Sequence, residues 1–108
     1  MSARNTRGKG IAFEREVAAE LEAAGFTVWG LESAGDHLAI APNGDPVHVE
    51  CKRHERMQLP EWIRQQERDC PDGMRRMLVF RQSRRSAYVV QPLAQVIERE
   101  RLLAERGS

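Results

Sequence analysis

The sequence has no apolar run that approaches the roughly 20 residues needed to cross a bilayer. Its first residues are polar and basic, so the apolar stretch of a secretory signal peptide is missing. Cysteine is scarce, with only Cys51 and Cys70 among 108 residues. The two could in principle form one bridge, but disulfides are rare in cytosolic proteins. We therefore expect a cytoplasmic protein with two reduced thiols.

An excess of charge of one sign is also missing, because the formal net charge is only +1. The charges are nevertheless unevenly placed: residues 1–50 have a balance of −4, residues 51–86 a balance of +5, and residues 87–108 a balance of zero. The first ten residues add three basic side chains, Arg4, Arg7 and Lys9. This pattern suits a face that binds a polyanion. On charge alone, a solvated surface of mixed charge is an equal alternative.

The composition, with 41% hydrophobic and 31% charged residues, is typical of a globular protein. We predict a basic flexible arm over residues 1–9 and a single domain over residues 10–108. Hydrophobic periodicity and turn residues predict helices and strands in the order α-β-β-β-α-β-β-α. Their approximate ranges are 11–24, 26–31, 36–41, 47–52, 60–69, 77–81, 87–91 and 92 onward. Such an order predicts an α/β fold, a mixed sheet flanked by helices.

The third predicted strand carries an informative pair. Its alternation places Glu50 and Lys52 on one face and Cys51 on the other, toward the core. Alone, a Glu-x-Lys pair is typical of a surface ion pair that contributes about 0–1 kcal/mol. The turn at residues 42–46, with Asn-Gly at its centre, indicates a hairpin. That hairpin would bring Asp36, at the start of the preceding strand, beside the pair.

Two carboxylates and an ammonium group at one place on a sheet have a specific chemical use. Mg²⁺ binds hard oxygen ligands and takes one or two carboxylates while it keeps several waters. Such a cation can activate water and neutralise charge on a scissile phosphate. A lysine beside it can stabilise or orient the nucleophile in the same transition state.

The order Asp36, hairpin, Glu50-Cys51-Lys52 resembles the D…(D/E)-x-K signature of the PD-(D/E)XK nuclease superfamily. Residues 9–16, Lys-Gly-Ile-Ala-Phe-Glu-Arg-Glu, and residues 24–28 resemble the opening helix and first strand of archaeal-type Holliday junction resolvases. Ser33-Ala34-Gly35 resembles the stretch ahead of that family's metal-binding aspartate, although here Asp36 follows Gly35 directly. The resemblance implies a restriction-endonuclease-like sheet. It covers residues 9–52 well and the remainder by order of elements.

The resemblance also implies roles for particular residues. The catalytic set would be Glu14, Ser33, Asp36, Glu50 and Lys52. The metal ligands would be Asp36, Glu50, the backbone carbonyl of Cys51, and Glu14. On the resemblance, Arg15 would approach phosphate. The basic charge pattern, apart from the resemblance, adds Arg4, Arg7, Lys9, Arg53 and Arg56 as candidate DNA-binding residues. The cofactor would be Mg²⁺, for which Mn²⁺ can substitute. Helical periodicity does not choose between Glu14 and Glu20, which lie on opposite flanks of the apolar stripe.

The function that the resemblance implies is resolution of four-way DNA junctions by metal-dependent phosphodiester hydrolysis, in recombination and repair. Because symmetric resolution needs two cuts, it also implies a homodimer. One alternative is a repair or restriction-type nuclease that acts on other DNA structures. Another is a non-catalytic DNA-binding module. A minimal resolvase of this length would suit a phage, in which case it would act in the host cytoplasm.

The remaining polar and aromatic residues of note have plainer interpretations. His37 and His48 are expected to be partly exposed surface residues rather than ligands. Zinc ligation by Cys51, His54 and Cys70 fits no standard finger spacing. Trp62 is expected in the core, with a subunit contact as the alternative.

Overall fold

A computed structural model of the protein describes the backbone of residues 2–30 and 36–107, and the side chains of residues 10–30 and 37–106. Eight elements lie in these two ranges. They are α1 (Ser2–Ala23), β1 (Thr27–Gly30), β2 (Asp36–Ile40), β3 (Pro46–Arg53), α2 (Leu59–Asp69), β4 (Arg75–Arg81), β5 (Tyr88–Val90) and α3 (Leu93–Gly107). The predicted α/β class and element order are confirmed. Within the described ranges, no helix is long and apolar enough to span a membrane.

The first helix is longer than the sequence predicted. Residues 1–9 were predicted to form a basic flexible arm, and the structure gives the backbone from Ser2 onward as part of α1. Once the amphipathic part of a helix is packed, each further residue adds a hydrogen bond without the cost of a new nucleus. No proline interrupts residues 2–9. The basic residues of this segment therefore stand on helical turns.

The five strands form one sheet in the order β1-β2-β3-β4-β5. Neighbouring strands run antiparallel except β3 and β4, which are parallel because α2 crosses between them. The predicted hairpin joins β2 to β3. Its turn is closed by hydrogen bonds from Ala41 N to Asp45 O and from Gly44 N to Ala41 O, both 2.8 Å. Gly44 has φ of 94°, which an L side chain rarely adopts.

The two faces of the sheet are covered by different helices. Phe13 and Val17 of α1 are buried against Val49 and Cys51 of β3, in the main hydrophobic cluster. Helix α2 covers the other face of β3 and β4, where Trp62 is buried with 4% of its surface exposed. Trp62 is thus a core residue, as expected. Because β3 lies in the middle of the sheet, its alternate side chains meet α1 and α2 in turn.

A buried amide anchors α2 to the sheet. Gln66 Nε2 donates to His48 O at 3.2 Å and to Met77 O at 3.1 Å, and it lies 3.2 Å from His48 Nδ1. Gln66 is 4% exposed. Buried polar groups are costly when they lose their partners. The amide therefore ties the helix to both β3 and β4.

We expect Gln66→Met to lower the free energy of unfolding by about 1–3 kcal/mol, because it keeps the side-chain volume but leaves strand carbonyls without their donor. Glu67→Gln, at the next and exposed position, is the matched control and should change it by less than about 0.5 kcal/mol. Urea denaturation followed by circular dichroism measures both. Equal midpoints for the two variants would contradict the anchoring role.

Candidate active site

The sheet register places Asp36 directly opposite Glu50 on the neighbouring strand. Residues in this relation have Cα atoms about 4.5–5.5 Å apart and share a face of the sheet. The expectation that the hairpin brings Asp36 beside Glu50 is therefore met by the backbone. The side chain of Asp36 lies outside the described part of the chain.

Glu50 and Lys52 form a buried ion pair. The Glu50 side chain is 0% exposed, the Lys52 side chain is 15% exposed, and Lys52 Nζ lies 3.3 Å from Glu50 Oε1. The interpretation of this pair as a surface ion pair is therefore wrong. Removing two charges from water costs several kcal/mol for each ion, and apolar residues of similar size would serve stability as well or better. Such a pair in the middle of a sheet indicates a functional site.

Gln65 of α2 completes this pair, and sequence reasoning missed it. Lys52 Nζ donates a hydrogen bond of 2.8 Å to Gln65 Oε1. The ammonium group is therefore held between a carboxylate of its own strand and an amide of the covering helix. A signal was available: Gln65 and Gln66 fall on the side of α2 that carries buried Trp62, where apolar residues are the rule.

Glu14 lies on the helix that covers the other face of the sheet. Its neighbour Phe13 packs in the cluster of Val49 and Cys51, whereas Glu50 and Lys52 point to the α2 face. Glu50 and Lys52 are thus in contact with each other, whereas Glu14 belongs to a helix on the opposite face of the sheet. Among the side chains that the structure describes, no three of His, Cys, Asp or Glu are grouped closely enough to hold a metal ion. A group of three such residues at Glu50 would need Asp36, whose side chain lies outside the described part of the chain.

The other predicted site residues are variously placed. Ser33 falls within residues 31–35, outside the described residues. The Cys51 side chain is buried in the α1 cluster, and Cys51 and Cys70 are both reduced. Burial raises the pKa of the Cys70 thiol, so it stays protonated near neutral pH. The role of the Cys51 backbone carbonyl as a metal ligand stays a prediction from the resemblance.

The predicted DNA contacts fall into three groups. Arg4, Arg7 and Lys9 stand on the first turns of α1. Arg15 and Arg56 are exposed. Arg53 differs, since its side chain is 9% exposed and its guanidinium binds Glu55 at 3.0 Å and Ser83 Oγ at 3.3 Å. The Arg53 guanidinium is therefore already bound to side chains of the same chain.

The histidines of the two central strands are buried, contrary to the prediction of partial exposure. His37 is 8% exposed and His48 is 3% exposed. His48 contacts the Gln66 amide, and His37 points to the α1 side together with its partner Val49. His54, just beyond the strand, packs against Trp62 with centroids 5.4 Å apart and ring planes tilted by 38°. Burial lowers the pKa of His54, and the charges of Lys52 and Arg53 lower it further, so its imidazole is neutral at pH 7.

A mixed five-stranded sheet with an acidic residue on β2 opposite an E-x-K strand defines a nuclease of the PD-(D/E)XK type. The chain belongs to the family described as "Phage putative PDDEXK endonuclease", whose pattern its residues 5–103 match. It is thus a DNA-binding endonuclease, of a class that uses divalent metal ions.

A solved structure shows the same fold. Hjc of Archaeoglobus fulgidus, described as a Holliday junction resolvase from an archaeal hyperthermophile, superposes with a TM-score of 0.54. The two chains share 17% sequence identity, over 77% of this chain and 72% of that one. No curated protein matches the sequence. The expected restriction-endonuclease-like fold is confirmed, and at this identity the likeness concerns the fold alone.

We expect Gln65→Met to lower kcat for DNA cleavage about 10- to 100-fold while KM changes less than about twofold. The variant removes the acceptor that holds Lys52 Nζ, a hydrogen bond to a charged group of about 1.5–3 kcal/mol. Glu67→Gln, exposed on the same helix, is the control. Steady-state kinetics and a melting curve separate a misplaced lysine from an unfolded protein. An unchanged kcat in a folded Gln65→Met protein would contradict this role.

Proposed function

We propose that the protein is a Mg²⁺-dependent endonuclease that acts as a homodimer on branched DNA, with four-way junctions as its principal substrate. The observation that supports the proposed catalysis is the buried Glu50–Lys52 pair on the central strand β3, with Asp36 of β2 opposite Glu50. The sequence resemblance to archaeal-type junction resolvases supports the substrate. The host cytoplasm is the compartment that this function implies for a phage protein.

The residues at the site fit a divalent cation. Asp36 and Glu50 occupy opposed positions on β2 and β3, and their side chains offer the oxygen ligands that Mg²⁺ prefers. The Cys51 carbonyl is the third proposed ligand, and Mn²⁺ can substitute. When bound, such a cation polarises the scissile phosphate and lowers the pKa of water.

Lys52 has the clearest chemical task of the described residues. Its ammonium group is held by Glu50 Oε1 at 3.3 Å and by Gln65 Oε1 at 2.8 Å. An ammonium group that is held in place before the reaction stabilises the negative charge that develops on the attacked phosphate, and it needs no reorganisation to do so. Burial strengthens this effect because water screens it little. We assign Glu14 as a further acidic residue of the site and Ser33 as a residue at its mouth, both on the resemblance.

The proposed phosphate contacts are basic residues that the charge pattern or the resemblance suggests. Those that we retain are Arg4, Arg7, Lys9, Arg15 and Arg56. Arg53 contributes indirectly, since it is bound to Glu55 and Ser83. Contacts of this kind read the backbone and the shape of DNA rather than its bases. They suit an enzyme that recognises a branch.

Cleavage of a labelled four-way junction in Mg²⁺ tests the proposal directly. We expect symmetric nicks that are lost, by at least about 1000-fold in rate, in Asp36→Asn and in Lys52→Ala, because each variant removes a group that stabilises the transition state. Glu67→Gln should cut like the unchanged protein. Junctions left intact in both Mg²⁺ and Mn²⁺ would refute the resolvase proposal.

The same assay separates the alternatives. Faster cleavage of flaps, nicked DNA or linear duplex at equal salt would favour a repair or restriction-type nuclease. DNA binding with no cleavage of any substrate, and no rise in melting temperature on addition of metal, would favour a non-catalytic module.

A homodimer should appear as a mass near twice 12.3 kDa in light scattering coupled to size exclusion. Two cuts related by a two-fold axis need two active sites. Helix α3 carries exposed apolar side chains suited to a contact between copies, with Leu93 at 73% and Ile97 at 57% exposure. We expect Ile97→Glu to shift the mass toward 12.3 kDa. A monomer at micromolar concentration without the substitution would contradict the dimer.

A further inference from the structure

A row of aromatic rings crosses the α2 face of the sheet beside the proposed site. His54 packs against Trp62 at 5.4 Å with tilted ring planes, and Trp62 packs against Phe80 at 6.1 Å. Phe80 stacks on Tyr88 at 5.9 Å with an interplanar angle of 25°. Both ends of the row are exposed, because His54 is exposed and Tyr88 is 60% exposed, whereas Trp62 between them is 4% exposed. At the β5 end, Tyr88 therefore offers an aromatic ring to solvent.

The strand register relates this ring to the catalytic lysine. Lys52 is the partner of Phe80, and Phe80 is the partner of Tyr88. Strands are spaced about 4.8 Å apart, so Tyr88 lies roughly 10 Å from Lys52 on the same face. A strand of DNA advances about 3.4 Å per stacked nucleotide. A nucleotide a few positions from a phosphate at Lys52 would therefore reach Tyr88.

A small cleft accompanies the exposed ring. Its volume is about 250 Å³, and its lining is formed by Met57, Phe80, Gln82, Arg85, Ser86 and Tyr88. It combines an apolar floor with polar and cationic walls. This is the mixture that holds a flat base on one side and its phosphate on the other.

The turn that walls the cleft holds an arginine in a rare backbone conformation. Arg84 has φ of 60°, and it is the one positive-φ residue other than glycine in the described chain. The turn is fastened by Glu55, whose Oε2 accepts the Ser83 N–H at 3.1 Å and whose carbonyl accepts Gln82 Nε2 at 2.7 Å. A hydrogen bond from Arg53 holds the pKa of the Glu55 carboxyl below its usual range, so Glu55 stays charged. Glycine or asparagine is usual at such a position, and strain of this kind concentrates at functional sites.

We propose that this cleft, with Tyr88 as its stacking platform, binds an unpaired nucleotide that flanks the scissile phosphate. Arg85 lines the cleft, and its exposed neighbour Arg84 in the same turn contacts the adjoining phosphate. The inference rests on the proposed function, since it takes the scissile phosphate to lie at Lys52. It adds a specificity site: a base at the branch point of a junction or flap, which is unpaired or can leave its pair there, can stack on Tyr88, whereas a base held in intact duplex cannot.

Charge selects nucleic acid over a second copy as the occupant. The turn beside the ring carries Arg84 and Arg85, both exposed, and Arg85 lines the cleft. Two copies placed face to face here would bring like charges together. A phosphodiester backbone complements the same charges, and every base offers a face to the ring.

The test measures binding of the whole protein to two DNAs in EDTA, where no cleavage occurs. One DNA is a duplex with a short unpaired flap that carries 2-aminopurine near the branch, and the other is the intact duplex. Tyr88→Ser should raise Kd for the flap about tenfold, abolish the fluorescence change of 2-aminopurine, and alter duplex binding less than twofold. Tyr88→Phe keeps the ring and should bind like the unchanged protein. Val89→Ser, exposed on the same strand but the opposite face, is the matched control.

Arg84→Gly supplies a second readout that a structural role would not give. Glycine relieves the strained φ, so the melting temperature should be unchanged or higher, while both DNAs bind several-fold more weakly. The slope of log Kd against log salt should fall by about one, as for one lost phosphate contact. Arg101→Gln on α3 removes an exposed arginine elsewhere and should leave the slope unchanged.

Flap affinity unaltered by Tyr88→Ser, or a dimer turned into a monomer by that change, would overturn the inference. Cleavage of no DNA in Mg²⁺ or Mn²⁺, together with an intact 2-aminopurine signal, would overturn the proposed catalysis and leave the nucleotide site standing. Cleavage without that signal would do the reverse.

Discussion

The burial of Glu50 beside Lys52 is the interaction on which the rest of the structure depends. The Glu50 carboxylate has 0% exposure in the central strand and is stabilised by Lys52 Nζ, 3.3 Å away, since an isolated buried charge costs far more than one lost contact. The pair must be shielded from water on its own face of the sheet, and its strand must be held rigid. Helix α2 shields that face, and the α1 cluster packs against the other face of β3.

This arrangement explains why polar groups recur on the buried side of α2. Gln65 holds Lys52, and Gln66 ties the helix to the carbonyls of His48 and Met77. A purely apolar helix would leave the Lys52 ammonium group without its Gln65 partner. It would also lack the hydrogen bonds that fix the position of α2 on the sheet. The specific hydrogen bonds position a reactive cation, and the apolar cluster under α1 provides most of the stability, because burial of apolar surface is the dominant favourable term in folding.

The fold and the centre of the site could be predicted because they depend on local rules. Alternation in β3 puts Glu50 with Lys52, and an Asn-Gly turn determines the register that sets Asp36 opposite Glu50. The partner Gln65 and the burial of His37 and His48 depend on how a helix packs over a sheet, which periodicity does not specify. The start of α1 at Ser2 was missed because helix propagation leaves no apolar pattern. Glu14 could not be placed either, since its position on the flank of α1 fits more than one direction.

In the proposed arrangement, catalysis and substrate choice use different parts of the fold. The proposed catalytic groups lie on β2 and β3 in the interior of the sheet, whereas Arg84 belongs to the β4–β5 connection and Tyr88 begins the edge strand β5. Arg53 and Glu55 join the two regions, because the segment that follows Lys52 also fastens the turn through Ser83. The turn can therefore vary in sequence without disturbing the buried pair, while its distance from Lys52 stays fixed. Loops on a rigid scaffold commonly carry specificity for this reason.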